Sequence, residues 1–341
     1  MLTALIENAR RCCSVALASP ELIRIADALH HHGVDHETAD RLVHELSERD
    51  TLVRDRLVTI RTSIASTDGA FERLLLLRSA VRSLPRITSL PVDDDVKRLF
   101  CEAYEYVASP PHGASFDVTR GSFIAHCKLA SLRRFPAGQF HWEISGIPRS
   151  WVLKVKGRER LTLLRWIATK LKGFGPVFFS HLNANRKNRY VITERESNRS
   201  YYRMAKSLRL QPDVRALVTS SWFNSPDTFR VSPHLGWMNR TFADNGALIV
   251  TMGAAEPDCG VLARSPERKK AYSEGTFAPT LGLVIWPRDA MLAWAETWSD
   301  SGAGRLETPR CSEGPRLAKA GLDDRQRESE VSSHAVARHA G

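Results

Sequence analysis

Residues that can move protons and residues that can hold anions crowd together between positions 181 and 230 of this 341-residue chain. His181, Tyr202 and Ser221 are the acid/base candidates, because each carries a proton that can pass to or from a reacting atom. Arg195, Arg199 and Arg203 recur every four residues, with Lys206 after them. On a helix of 3.6 residues per turn they share one side, and Tyr202 lies among them. Four cations on one stripe repel one another, and an anionic partner offsets that cost. Ser220, Trp222, Asp227, Arg230 and Arg288 are further candidates for the same site. Lys156 and Arg158 flank Gly157 in a second basic turn. Read as a strand, a glycine and a helix N-terminus, it is a second place where free N–H groups and cations can meet an anion.

Other constellations are weaker. His141 and Glu143 share one face of a strand, and with His181 or His234 they mimic a two-histidine, one-carboxylate iron site. The reading adopted is a buried, hydrogen-bonded histidine, with no metal expected. His30-His31-His32, with His36 and His44 nearby, point around a helix and read as a surface cluster. No G-x-S-x-G elbow surrounds the serines and no GK[ST] loop occurs, which argues against a serine hydrolase and a P-loop enzyme.

The elements that must position these residues are legible to different degrees. Thr193 followed by Glu196 is a capping box, so the arginine helix starts near residue 194. Its other side, Tyr201, Met204, Ala205 and Leu208, should pack inward. Gln211-Pro212-Asp213 reads as a turn and residues 214–218 as a buried strand with Ser220 and Ser221 at its carboxyl end, where open α/β sheets bind ligands. Asn224-Ser225-Pro226-Asp227 reads as a tight turn, and Ser232-Pro233 as the start of a helix. The cationic side of the arginine helix is expected to line a cavity with this serine–tryptophan bend.

His181, Tyr201-Tyr202-Arg203, Gln211-Pro212-Asp213-Val214-Arg215, Ser220-Ser221-Trp222-Phe223, Ser232-Pro233-His234-Leu235, Ser265-Pro266-Glu267-Arg268 and Trp286-Pro287-Arg288 together resemble a pattern that recurs in uncharacterised bacterial proteins. The resemblance covers residues 175–296. It implies a common domain and names no reaction. The chain departs from the pattern at Asn224-Ser225-Pro226, where Asp227 follows the proline. The turn around Gly157 is similar to the pyrophosphate-binding turn of acyl-CoA N-acetyltransferases, with one glycine in place of their fuller motif.

Charge and composition set the frame. The net charge is +11, and it is uneven. Residues 111–210 hold 20 Lys and Arg against 5 Asp and Glu, a net of +15, while the flanking regions are near neutral or slightly acidic. Such a block attracts phosphate, nucleotide, coenzyme A, nucleic acid or anionic lipid. Six cysteines without a CxxC pair read as reduced thiols in a cytoplasmic protein. No apolar run is long enough for a membrane span.

Residues 1–108 read as a helical N-terminal region. Residues 109–300 read as an α/β domain, a mixed β-sheet with flanking helices. Residues 301–341 read as a disordered tail. Strands are expected at residues 139–145, 151–155, 177–182, 190–193, 248–252 and 281–286. A helix is expected at residues 158–172, with Leu161, Leu164, Ile167, Ala168 and Leu171 buried. The functional expectation is a small-molecule transferase of acyltransferase type, with an anionic donor such as acyl-CoA on Arg195, Arg199 and Arg203. The alternative is a non-catalytic binding or regulatory protein that engages nucleic acid or another acidic partner. An anionic small molecule is the preferred partner.

Overall fold

The computed structural model describes residues 1–48, 51–64, 69–110, 116–183, 192–255, 260–262 and 265–299. The tail expected to be disordered lies outside them, as do residues 190–191 of the strand expected at residues 190–193; residues 192–193 are not strand, and Thr193 instead caps the helix that follows. Six helices build the N-terminal region: α1 (Leu2–Leu17), α2 (Pro20–His31), α3 (His36–Ser47), α4 (Thr51–Ser63), α5 (Ala70–Ser83) and α6 (Asp94–Ala108). Side chains start several of them. Ser19 accepts from the Leu22 N–H, Asp35 from the Thr38 N–H at 2.7 Å and Asp93 from the Asp95 N–H, so N–H groups left over at the first turn find partners. α1 buries Ile6, Ala9, Cys13 and Ala16, one side at helical spacing, while α5 is buried almost all round and forms the centre of the bundle. The exposed histidines 30–32 end α2.

The rest is a mixed six-stranded sheet with helices on both faces. In chain order come α7 (Gly121–Ala130), β1 (Arg134–Pro136), β2 (Phe140–Ser145), α8 (Arg149–Lys154), α9 (Gly157–Thr169), β3 (Val177–Leu182), α10 (Glu194–Arg209), β4 (Ala216–Ser221), α11 (Pro226–Val231), α12 (Trp237–Ala243), β5 (Leu248–Ala254), α13 (Pro266–Ser273), β6 (Thr280–Pro287) and α14 (Arg288–Thr297). The sheet order is β1-β2-β3-β4-β6-β5. Among the described strands only β3 and β4 run parallel, and α10 lies in the connection between them. The fold class is therefore α/β, as expected.

Alternation along the strands sorts side chains between two cores. Trp142, Phe178, Leu217, Val284 and Trp286 face one core, which continues into the N-terminal helices as far as Ile6. Val177, Val218, Val250, Leu283 and Ile285 face the other, beneath α8 and α9. The helical region and one sheet face thus share a single hydrophobic interior.

Several local expectations are corrected. Residues 149–154 are helix α8, not a strand, because Trp151 and Val152 bury together on one side of a single turn and a half. The turn around Gly157 therefore joins two helices. In α9 the buried side is Leu163 and Ile167, while Leu161, Leu164 and Ala168 face outward. Pro226 opens α11 at its first position instead of sitting in a tight turn. After Ser232 comes a short 3-10 turn over Pro233–Leu235 before α12.

Candidate functional site

Helix α10 carries Arg195, Arg199, Tyr202, Arg203 and Lys206. Thr193 caps it by accepting from the Glu196 N–H at 3.3 Å. Tyr201, Met204, Ala205 and Leu208 are buried against the sheet, where Tyr201 packs on Phe140, Phe242 and Trp286. The opposite stripe meets acids from within the chain. Lys206 Nζ lies 2.7 Å from Asp93, Arg203 Nε 3.6 Å from Asp95, and Arg199 3.4 Å from Glu196. Asp93 and Asp95 belong to the start of α6, where acids are favoured by the helix dipole. The anionic partner that offsets the repulsion along α10 is, to this extent, the N-terminal helical region itself.

Arg203 is nearly buried and also donates to the Ala137 carbonyl at 2.9 Å. Burial pulls its pKa below the usual arginine value, and Asp95 opposes that pull. Ser200 accepts from the Gln139 N–H and Ser197 donates to the Gln139 side chain, so α10 grips the β1–β2 turn at three points. Gly138 sits in that turn at φ +110°, and a Cβ there would come within 2.9 Å of the Arg203 guanidinium.

Between α6, α10 and the end of α14 lies a cleft of about 630 Å³. Arg98, Arg199 and Arg203 line it, with Asp95, Glu102 and Glu196 opposing them. Tyr202 and Trp298 form an aromatic wall, their rings 4.8 Å apart, and Trp294 continues it behind Trp298. The volume falls in the range of small-molecule sites. Arg195, on the same side but exposed, does not line the cleft.

The serine–tryptophan bend is elsewhere. None of Ser220, Ser221, Trp222 or Asp227 lines the cleft. Ser221 caps the short turn that follows by accepting from the Phe223 N–H, and Trp222 is buried beneath the Arg268 guanidinium at 4.9 Å. Asp227 accepts from Thr280, and Arg230 donates weakly to the Thr276 carbonyl. Arg288 donates to the carbonyls of Gln211 and Val214 and so ties the end of β6 to the turn before β4. These five residues hold chain segments together. Lys156 and Arg158 are exposed at the α8–α9 turn.

His181 belongs to a different cluster, at the β1 end of the sheet. His141 pairs directly with His181 across β2 and β3, and Glu143 pairs with Arg134 of β1. The Glu143 carboxylate is held by Lys128 of α7 and by Arg134, whose Nε lies at 2.8 Å. His181 Nε2 lies 3.3 Å from the same carboxylate, near enough for attraction but misaligned for a straight hydrogen bond. Burial pushes the Glu143 pKa up, but His181 and the two cations outweigh it and hold the group ionised. Burial, with Arg134 adding to it, pushes His181 down to about 4, and pushes His141 well below the usual histidine value. Both imidazoles are neutral at pH 7. Among the described residues no group of His, Cys, Asp and Glu could hold a metal ion.

Alternation separates the three acid/base candidates. His181 shares its parity with Val177 and Phe179, on the α8–α9 face. Ser221 and helix α10, with Tyr202, are on the opposite face. The structure brings Tyr202 together with Arg199 and Arg203, and it brings His181 together with Glu143; it does not bring the two sets together. Sequence reasoning missed Asp95, Arg98, Glu102 and Trp298, which lie about a hundred residues from α10 on either side. No family model, no curated protein and no solved structure matches the chain.

Proposed function

We propose that the chain binds a small anionic molecule carrying a flat apolar group in the cleft between α6 and α10. One observation carries this reading: three arginines and a tyrosine–tryptophan wall converge on one cavity of ligand size. Guanidinium groups pair with phosphate or carboxylate in a planar fork, and an aromatic wall accepts a base or acyl chain. Nucleotides and coenzyme A esters have both parts. Asp95 pairs with Arg98 and Arg203, and Glu196 with Arg199, so these carboxylates keep the arginines oriented and a ligand has to compete with them.

Binding is better supported than transfer. Of the three acid/base candidates only Tyr202 reaches the cleft, so a transferase of acyltransferase type would have to work with that hydroxyl or with the ligand's own groups. Nucleic acid is less well matched, because three acids stand among the arginines of the cleft and would face a phosphate backbone. A cytoplasmic location goes with this reading. Cys12, Cys13, Cys101 and Cys127 are free, and burial raises the pKa of Cys13, Cys101 and Cys127, which suits inert reduced thiols.

A thermal-shift screen over nucleotides, coenzyme A esters and simple aryl carboxylates tests the proposal. A ligand at a hundred times its Kd should stabilise the fold by about 2.7 kcal/mol. Arg98→Ala or Trp298→Ala should abolish the shift without lowering the melting temperature of the free protein by a comparable amount. A screen without hits, or a hit indifferent to both variants, overturns the reading.

A further inference from the structure

The second basic surface has no acids to answer it. Residues 149–172, which contain α8 and α9, hold eight Lys and Arg against one acid, Glu159. Glu159 is itself committed, accepting from the Thr251 N–H on the edge strand β5. All the cations except Arg160 are exposed, and among the described residues none of the eight is in an ion pair. Arg160 donates to the carbonyls of Leu153 and Val155 and so braces the two helices against each other.

Leucines stand among these cations. Leu153 is 72 % exposed, Leu161 68 % and Leu164 41 %. Leu161 and Leu164 are one turn apart on the outward side of α9, and Arg160 lies between that turn and Leu153. A single exposed leucine is ordinary, but three on one short helical hairpin that also carries seven exposed cations outside any ion pair among the described residues are not. The hairpin is fixed from beneath by Trp151, Val152, Val155, Leu163 and Ile167, so the leucines are displayed by a packed element.

We infer that the α8–α9 hairpin is a docking surface for an anionic lipid bilayer. Leu153, Leu161 and Leu164 enter the boundary between headgroups and acyl chains, and Lys154, Lys156 and Arg158 meet the headgroup anions. Charge complementarity and apolar insertion occur in one plane only at such an interface. Nucleic acid would satisfy the cations and leave the leucines against phosphate and water. No spanning segment is involved, since among the described residues no helix is long and apolar enough to cross a membrane. This inference does not rest on the cleft, which lies on the other side of the sheet.

Co-sedimentation of the full chain with vesicles tests it. Vesicles of phosphatidylcholine mixed with phosphatidylserine should retain the protein, and vesicles of phosphatidylcholine alone should not. Leu161→Ser/Leu164→Ser should weaken partition to the anionic vesicles by about tenfold or more while leaving the melting temperature in place. Lys154→Gln/Lys156→Gln/Arg158→Gln should weaken it at least as much. Equal partition to both vesicle types, retention by neither, or undiminished binding by the leucine variant overturns the inference. So does a duplex oligonucleotide that binds more tightly than the vesicles and is indifferent to the leucine variant.

Discussion

Two basic surfaces carry the excess charge of this protein, and they differ in what answers them. On α10, Arg199, Arg203 and Lys206 each face a carboxylate, two of them supplied by the first turn of α6. On α8–α9, no cation has a partner carboxylate among the described residues, and leucines share the surface. A count of Lys and Arg along the chain treats the two alike. Their environments do not: one stripe holds two regions of the protein together and borders a cleft, while the other is left open to whatever lies outside. The Glu143 cluster is the extreme of the first kind, a carboxylate enclosed by Lys128 and Arg134 with His181 beside it.

That contrast orders the expected effects of removing charge. Glu143→Ala leaves two cations facing each other in a largely buried site, so it should destabilise the fold by about 3–5 kcal/mol in denaturant unfolding. A loss below about 1 kcal/mol would mean that the cluster is hydrated and no different from a surface pair.

Acid should act on the same region. The folded-state pKa values of His126 and His181 are pushed down to about 4, chiefly by burial, while the unfolded chain titrates near the ordinary histidine value of 6.5. Between those values the unfolded state binds more protons, so stability is complete above pH 6.5 and falls as pH drops toward 4. Melting temperatures recorded across that window should decline, and His126→Gln should flatten the decline. A constant melting temperature would show that these imidazoles are solvated.

The surface charges should do least, and they should divide by surface. Lys206→Ala removes a part-exposed pair with Asp93 and should cost about 0–1 kcal/mol. Lys154→Gln/Lys156→Gln removes no ion pair and should leave unfolding free energy within about 0.5 kcal/mol, while changing what the protein adheres to. A larger loss from the α8–α9 variant than from Lys206→Ala would reverse the contrast.

Much of this arrangement could be read from local signals, and what could not has a physical reason. The Thr193 cap, the inward side of α10 and the strands of the central sheet all depend on neighbours close in sequence. The residues facing Arg203 and Lys206 are at positions 95 and 93, and nothing in the arginine spacing identifies them. Residues 151–155 favour a strand by composition, with Trp and two valines, yet the burial of Trp151 with Val152 selects a helix. In α9, leucine and isoleucine occur nearly all round, so periodicity alone could not separate Leu163 and Ile167 from Leu161 and Leu164. His181, Tyr202 and Ser221 are near one another in sequence, but alternation places His181 on one face of the sheet and Ser221 on the other.

The most direct test is a calorimetric titration of the strongest small-molecule ligand from the screen into three proteins: the unaltered chain, Arg98→Ala and Leu161→Ser/Leu164→Ser. The account predicts that the cleft substitution weakens binding by about tenfold or more and that the α9 substitutions leave it unchanged. Binding that survives in Arg98→Ala but is lost with the two leucines would contradict the account, because the anion would then belong to the α8–α9 surface and not to the cleft.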